Sequence, residues 1–402
     1  MSLEGKQIVI GVTGGVAIHK ALDLVSMLVK QNANVQVVMT QNATKLVGPI
    51  QFETMSQTPV ITDLFVSKTS DMFPQHINLA DRADLFAIVP ATANIIGKIA
   101  HGIADDALST VAIAMHCPVL IAPAMNSFMY ANPVVQSNLK ILRERGYIII
   151  EPEYGRLACG YEGKGRLRNV NAIFEEIKSI FIEKDLADKH VLVTAGPTRE
   201  SLDPVRFISN RSTGKMGYAI AKAAQYRGAK VTLVSGPTSI NRPVDIPNGR
   251  PIDFISVQTA VEMREAVLAH FDEVDAVIMA AAVSDYRPEE VSQKKIKKNL
   301  SNTLSITLVR NPDILAELGN KKKGQFLVGF AAETEDLLAN AKTKLIEKNL
   351  DLIVANDVSK PEAGFGTDTN IVTLIGRDGE CQKLPKMSKF DVANAILDRV
   401  SG

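Results

Sequence analysis

The sequence predicts an α/β protein made of two doubly wound, Rossmann-like domains in tandem. Short β-branched runs alternate with helical patterns along the whole chain, the signature of parallel strands joined by covering helices. An opening of strand, glycine turn and helix occurs near residue 7 and again near residue 191. Between these openings, the charged stretch Glu183-Lys184-Asp185-Leu186-Ala187-Asp188-Lys189-His190 reads as a linker, so the expected domains are 1–188 and 189–402. At roughly 100–200 residues per domain, a chain of 402 residues suits two.

The elements follow in order. Gln7-Ile8-Val9-Ile10 is a strand closed by Gly11-Val12-Thr13-Gly14-Gly15, and Leu22, Val25, Leu28 and Val29 then recur at helical spacing within 17–30. Val35 to Met39 is a second strand that ends at Thr40. Leu85 to Val89, Val119 to Ala122 and Tyr147 to Ile150 complete the first sheet, each stopping at a proline or small-residue turn. The second half restarts with Val191 to Thr194, turns at Ala195-Gly196-Pro197-Thr198, continues with a helix over 216–226, and returns as Val231 to Val234. Its later strands are Ala276 to Met279, Phe326 to Val328, Leu352 to Val354 and Ile371 to Leu374, all read as parallel.

Composition removes several function classes. Forty-six per cent hydrophobic residues suffice for ordinary cores, and 45 basic against 44 acidic residues leave a net charge of +1. No field of one sign covers the molecule, so neither nucleic acid nor a membrane surface is an expected partner. The longest apolar stretch, Val111 to Met125, is broken by His116 and Pro118 and falls short of the ~20 residues of a bilayer span. The chain begins without a charged segment, long apolar run and cleavage site, so a cytoplasmic location is expected. Three cysteines, unevenly spaced, suit neither a disulfide framework nor a zinc site. Cys117, in an apolar run, reads as core, and Cys381, in a polar turn, as incidental. His19, His101, His116, His190 and His270 have no metal-ligand spacing, and metal ligands stay unassigned.

Ligands of open parallel sheets bind beyond the carboxyl ends of the strands, and both halves place their unusual sequences there. The turn through Gly14 and Gly15 offers backbone N–H groups and a helix start to an anion, with a plain tight turn as the alternative. Its spacing is not G-x-G-x-x-G, and the second strand ends in Thr40 where a dinucleotide fold has an acid, so the phosphate of a mononucleotide fits better. Pro90-Ala91-Thr92-Ala93-Asn94 and Pro123-Ala124-Met125-Asn126 follow later strands; their small residues let a flat ring approach the backbone, and each amide can donate without adding charge.

With His76 in Phe73-Pro74-Gln75-His76-Ile77 and with Gly102-Ile103-Ala104-Asp105-Asp106, these loops resemble the flavodoxin-like, FMN-dependent cysteine decarboxylases that act on N-acylated cysteine. Gly155-Arg156-Leu157-Ala158-Cys159-Gly160 is similar to the substrate-covering flap of phosphopantothenoylcysteine decarboxylase. Gly155, Gly160, Gly163 and Gly165 are expected to make that flap mobile. The resemblance implies FMN contacts at Gly14, Gly15, Thr40, Pro90, Thr92, Ala93, Asn94 and Met125. It also implies that Asn126 holds the substrate carboxylate, His76 acts as base or orienting group, and Cys159 is the acid. A thiol of ordinary pKa, roughly 8.5, is protonated at neutral pH and can donate without tuning. The implied chemistry oxidises the cysteine thiol to a thioaldehyde, whose C=S accepts the electrons that decarboxylation releases.

In the second half, a long polar loop runs from Thr194 through Asp203-Pro204-Val205-Arg206 to Asn210-Arg211-Ser212-Thr213-Gly214-Lys215-Met216-Gly217. Gly214 and the helix start form an anion cradle, with Arg206 and Arg211 as candidate phosphate partners. This is no Walker A loop, since Gly214-Lys215 is followed by Met216. Lys294-Lys295-Ile296-Lys297-Lys298 carries four cations that suit a triphosphate, whereas Lys321-Lys322-Lys323 reads as a solvated face. On a helix over 335–349, Lys344 and Lys348 share one face, which fits phosphate binding or a plain exposed surface.

Together with Ala280-Ala281-Ala282-Val283-Ser284-Asp285-Tyr286-Arg287-Pro288, Asn311-Pro312-Asp313-Ile314-Leu315 and Gly329-Phe330-Ala331-Ala332-Glu333-Thr334, these segments resemble the CTP-using bacterial phosphopantothenate-cysteine ligases. The resemblance implies that Asn210 holds an acyl-cytidylate and that Lys295 offsets charge as it forms. CTP would be held by Gly214, Lys215, Ala281, Asp285, Lys295, Pro312, Asp313, Ile314, Leu315, Phe330, Lys344 and Lys348, with Mg²⁺. The two matches together point to the bifunctional decarboxylase–ligases of coenzyme A synthesis. Implied partners are 4'-phosphopantothenate, L-cysteine, CTP and copies of the chain itself, with trimeric decarboxylase domains, dimeric ligase domains and a dodecamer. Rival readings are another cysteine decarboxylase or flavin prenyltransferase fused to a nucleotide-binding domain, and a regulatory flavoprotein without catalysis.

Overall fold

Strands buried on both faces are what a parallel sheet between helical layers requires, and the apolar runs of the sequence supply them. The computed structural model describes residues 3–65, 75–158, 160–297, 303–333, 337–357 and 366–401. It forms two compact units, Met1–Ile180 with Ile246–Asn248, and Phe181–Asp245 with Gly249–Gly402.

In the first unit, β1 (Gln7–Val12), β2 (Asn34–Met39), β3 (Leu85–Ala91), β4 (Val119–Pro123) and β5 (Ile148–Ile149) make one parallel sheet in the order β2-β1-β3-β4-β5. All residues of β3 and β4 are buried. Val9, Phe86, Ile88 and Ile121 pack against Ile95, Ile96, Leu108, Val111 and Leu139 of the helices Ala93–Ala100, Ala107–Ala114 and Pro133–Glu144. The helix expected over 17–30 spans His19–Val29 and buries Leu24, Val25 and Leu28. The chain leaves β1 toward β2 and crosses back to β3, so the strand order reverses between β1 and β3, where such sheets open a ligand crevice. After β5 comes an antiparallel hairpin, β6 (Glu153–Arg156) and β7 (Glu162–Arg166), with Arg156 opposite Glu162. Cys117 is half-buried against this core rather than enclosed by it, and burial pushes its thiol pKa up.

The second unit carries an eight-stranded sheet of β8 (His190–Ala195), β11 (Lys230–Ser235), β12 (Ile252–Ser256), β13 (Ala276–Met279), β16 (Phe326–Glu333), β17 (Leu352–Asp357), β19 (Val372–Gly376) and β20 (Cys381–Lys383). Short ladders pair β9 (Arg199–Ser201) with β10 (Phe207–Ser209), β14 (Tyr286–Pro288) with β15 (Leu308–Arg310), and β18 (Thr369–Asn370) with β21 (Met387–Ser388). The sheet order is β12-β11-β8-β13-β16-β17-β19-β20, with the reversal between β8 and β13. Side chains alternate faces along β8. Val191 and Val193 meet Ile220, Ala224 and Ile396 on one side, while Leu192 meets Met263, Val267 and Leu345 on the other.

Besides the short ladders, two features of the second sheet depart from the sequence reading. The sheet is mixed, because β17–β19 and β19–β20 pair antiparallel; the Arg377–Glu380 turn is too short for a helical crossover, and Gly379 takes a φ of +84° there. Edge strand β12 was not anticipated, and none of its five residues is fully buried, so it lacks the apolar run that marks the central strands.

Candidate active sites

Four loops meet at the carboxyl edge of the first sheet. Buried Thr13 donates from Oγ1 to the Pro90 carbonyl (2.7 Å) and accepts from the Thr92 N–H (3.1 Å), which joins the glycine turn after β1 to the loop ending β3. Ala124 N–H donates to Ala91 O (3.0 Å) and adds the loop after β4. Gly14 lies against the short helix that follows β2, where a β-carbon would stand 2.8 Å from Asn42 Cβ; at Gly15 it would stand 3.6 Å from Pro90 Cγ and Thr92 Cγ2. Thr40 accepts from Ala43 N–H (3.3 Å) and so opens the short helix Gln41–Thr44. Thr92 occupies the cap position of helix Ala93–Ala100 without a side-chain capping bond, so this helix start keeps the character of an anion site. Ala93 and exposed Asn94 form its first turn.

Met125 and Asn126 follow β4. Asn126 Oδ1 accepts from Phe128 N–H (2.9 Å), which caps helix Ser127–Ala131 and fixes the amide's orientation. The β6–β7 hairpin lies against this loop, since Met125 N–H donates to Gly165 O (3.0 Å) and Phe128 meets Tyr161 edge to face at 6.0 Å. Two glycines expected to give mobility instead permit contact. A β-carbon on Gly163 would stand 2.7 Å from Ser127 Cβ, and one on Gly165 would overlap the Met125 carbonyl oxygen. Cys159, between the hairpin strands, lies outside the described residues. His76 is half-buried on the second residue of helix Gln75–Arg82, and its neighbours Phe73 and Pro74 also lie outside them.

Sequence reasoning missed Glu151. Its carboxylate accepts from Tyr130 Oη (2.5 Å) and Lys164 Nζ (2.7 Å) and pairs with Arg143, so it ties β7 to the helix that Asn126 caps. Burial, reinforced by Glu151, pushes the Tyr130 hydroxyl up to about 12, so Tyr130 remains a donor at any physiological pH. Only the fold brings these residues together. In the Gly102–Asp106 segment, Asp106 accepts from Ser109 N–H (2.8 Å) to cap helix Ala107–Ala114 and pairs with Lys98 (2.7 Å), which is a structural duty.

Gly165→Ala follows as a test. Forcing a β-carbon against Met125 O is expected to cost about 1–3 kcal/mol. It should lower activity of the first unit more than that of the second, as measured by thermal melting and separate assays; equal losses in both would contradict the assignment of the hairpin to one site.

In the second unit, Ala282 N–H donates to Gly196 O (2.9 Å), Ser284 N–H to Thr198 Oγ1 (3.0 Å), and Ala281 N–H to Thr194 Oγ1 (3.1 Å). The turn after β8 and the loop after β13 are therefore laced across the switch point. Asn210 Nδ2 donates to Ala282 O (3.0 Å), so this predicted residue stands at the same loop. Gly214 caps helix Lys215–Tyr226 with φ +81°, and a β-carbon there would stand 2.7 Å from Thr238 Cγ2 and 3.3 Å from Gly196. Glycine is thus demanded twice at Gly214, by the positive φ and by the close approach. Asn311 Nδ2 donates to Ser284 O (2.8 Å) and Asn311 N–H to Asp285 O (2.8 Å), which adds Pro312 and Asp313 to the cluster. Ile314 and Leu315 begin helix Ile314–Lys321, capped by Asp313. Phe330, half-buried in β16, pairs with Val354.

Five predicted cations differ in standing. Lys215 Nζ donates to Gly366 O and Asp368 Oδ1, both at 2.7 Å. Lys348 pairs with Asp313 (2.8 Å); burial alone would raise the pKa of Asp313, but Lys348 and the Ala316 N–H hold it below the usual range. Lys295 is exposed, and Lys344 is half-buried on helix Leu337–Glu347. Arg206, a candidate phosphate partner, pairs with Asp203 and donates to Ile296 O. Among the described residues, no group of three or more His, Cys, Asp or Glu side chains is placed to hold a metal ion.

Residues 1–182 match the family described as Flavoprotein, and residues 186–402 match that described as DNA/pantothenate metabolism flavoprotein C-terminal domain. The chain is 50% identical over 402 residues to the coenzyme A biosynthesis bifunctional protein CoaBC of Bacillus subtilis (strain 168), covering 99% of this chain and 97% of that protein. The chain belongs to this family. The Escherichia coli (strain K12) protein of the same name is 43% identical over 404 residues, covering 100% and 98%. A crystal structure of the C-terminal domain of a protein of that name is 45% identical and covers 55% of this chain and 97% of its own, with a TM-score of 0.46.

As a member of the coenzyme A biosynthesis bifunctional proteins, the chain is an enzyme with an N-terminal flavoprotein half. Full-length similarity removes the readings in which a decarboxylase is fused to an unrelated domain. No helix among the described residues is long and apolar enough to cross a membrane.

Proposed function

We propose that residues 189–402 join L-cysteine to 4'-phosphopantothenate at the expense of CTP, and that residues 1–188 bind FMN and decarboxylate the 4'-phospho-N-pantothenoylcysteine so formed. The observation that carries this reading is the lacing of the Gly196 turn, the Ala281–Asp285 loop and Asn210 into one edge cluster, within a chain whose first half belongs to a flavoprotein family.

In the ligase half, the carboxylate of phosphopantothenate attacks the α-phosphorus of CTP, and pyrophosphate leaves. Gly214 presents a helix start and Lys295 a cation to the charge that develops, and such fixed donors lower the barrier most where water is excluded. Lys344 and Lys348 face the same anion, Asp285 and Phe330 border the cytidine, and Pro312 to Leu315 with Ala281 and Lys215 complete the nucleotide site. The cysteine amine then attacks the acyl carbon of the acyl-cytidylate, held by Asn210, and CMP leaves. Mg²⁺ accompanies the triphosphate, which agrees with the preference of that ion for phosphate oxygens and water over an all-protein cage.

In the decarboxylase half, the small residues Gly14, Gly15, Ala93 and the cap position Thr92 suit a flat ring with a phosphate. Thr40, Pro90, Asn94 and Met125 complete the flavin contacts. Bound FMN supplies the two-electron oxidation, and its return, without which carbon dioxide would leave a carbanion with no electron sink. Asn126 orients the substrate carboxylate, His76 positions the thiol proton, and Cys159 delivers a proton to the product. The chain is proposed to work in the cytoplasm as a homo-oligomer.

Mass spectrometry of an incubation with CTP, Mg²⁺, cysteine and 4'-phosphopantothenate tests the reading. Expected products are CMP, pyrophosphate, carbon dioxide and 4'-phosphopantetheine, from a yellow protein. A colourless preparation that takes up no FMN and releases no CMP would sink it.

A further inference from the structure

Asp203 is a carboxylate with no exposed side-chain surface, in a loop to which the two-step ligase chemistry gives no task. Its Oδ1 accepts from Val205 N–H (2.8 Å) and Arg206 N–H (2.9 Å), which closes a turn on itself. Its Oδ2 accepts from Arg206 Nε (3.0 Å) and Nη2 (2.6 Å), and also from the N–H of Ile296 (3.1 Å), a residue on a different loop. Arg206 Nη2 donates in turn to Ile296 O (2.9 Å). The N–H and the carbonyl of one residue are thus gripped by the two members of one ion pair, and Ser292 N–H adds a bond to Leu202 O (3.0 Å). Ile296 sits between exposed Lys295 and Lys297.

A buried carboxylate is costly unless its lone pairs are filled, and here five donors fill them. A neutral amide would serve the turn equally well, because Oδ1 alone receives both turn N–H groups. The charge is needed only for the guanidinium and for Ile296. Adjacent lysines repel one another, so a loop carrying Lys294, Lys295 and Lys297 has no intrinsic reason to hold a single conformation. We propose that the Asp203–Arg206 pair is a clasp that positions Lys295, gripping the lysine loop by the peptide groups of the next residue. The inference rests on the ligase reading and assigns Asp203 and Arg206 as positioning residues.

The test uses the full-length protein with bound flavin and the variant Asp203→Asn. Asn Oδ1 can keep the turn, but its NH₂ cannot accept from Ile296 N–H or from Arg206. Pyrophosphate release from CTP should fall roughly 10- to 100-fold, the cost of a misplaced charge, with the KM for cysteine unchanged because cysteine enters afterwards. In a Lys295→Gln background the same change should cost less than about 2-fold, since residues that act through one another are not additive. Trypsin should cut after Lys294, Lys295 or Lys297 faster in D203N than in the wild type, with the melting temperature of the flavin half unchanged. Equal losses with and without Lys295, or unchanged cleavage, would overturn the clasp. A wild-type chain that releases no pyrophosphate would defeat the ligase reading instead, and faster cleavage in D203N would still uphold the clasp. If D203N does not fold, R206K applies the same test, because lysine keeps the charge but lacks the fork that reaches both Asp203 and Ile296 O.

Discussion

Asn210→Asp is expected to lower cysteine ligation at least 100-fold while decarboxylation of supplied 4'-phospho-N-pantothenoylcysteine stays within about 2-fold, as losses of preorganised donors do. The amide of Asn210 donates to Ala282 O at 3.0 Å. A carboxylate there sets acceptor against acceptor and adds a negative charge where a triphosphate and then an acyl-cytidylate must bind. Because Asn210 is exposed, the stability cost should be only about 1 kcal/mol, that of one hydrogen bond. Rate and stability therefore separate. Thermal melting and separate assays of the two reactions check this, and a matched loss of both reactions would contradict the assignment of Asn210 to one site.

Cys159→Ser should retain FMN absorbance and ligase activity and lose about 10²- to 10⁴-fold in decarboxylase turnover, the range for removal of a general acid. A serine hydroxyl is far weaker as an acid than a thiol of pKa roughly 8.5, so the block falls at the protonation that completes the reaction. Carbon dioxide should still form in a first turnover, with a dehydrogenated product accumulating. Stopped-flow absorbance and mass spectrometry read this outcome; full turnover in the variant would remove Cys159 from the mechanism.

Much of the site was legible because its residues serve local chemistry. Gly14 lies in the turn after β1, Gly214 and Asp313 cap the helices that follow them, and Asn126 and Thr40 do the same, so type and position agree within a few residues of chain. What escaped was every grouping made across distance. Glu151 with Tyr130, Arg143 and Lys164 has no periodic trace, and Asp203 with Ile296 joins loops 93 residues apart. The charge of Arg206 is visible in the sequence, but its partner Asp203 and its hold on Ile296 O are not. Gly163 and Gly165 of the β6–β7 hairpin read as sources of mobility because a missing side chain has two meanings, freedom or close approach, and at these two positions Ser127 and Met125 show close approach.

By itself, the sequence determined the α/β class, the central strands and the turns at their carboxyl ends. These depend on short-range patterns: apolar runs long enough to be buried on both faces, and glycines and caps where helices begin. Tertiary structure alone decided the antiparallel end of the second sheet, its edge strand, the anchoring of the hairpin and the grip on the lysine loop. Each of those depends on which distant groups fill one another's hydrogen bonds, and burial sets that choice only once the chain has folded.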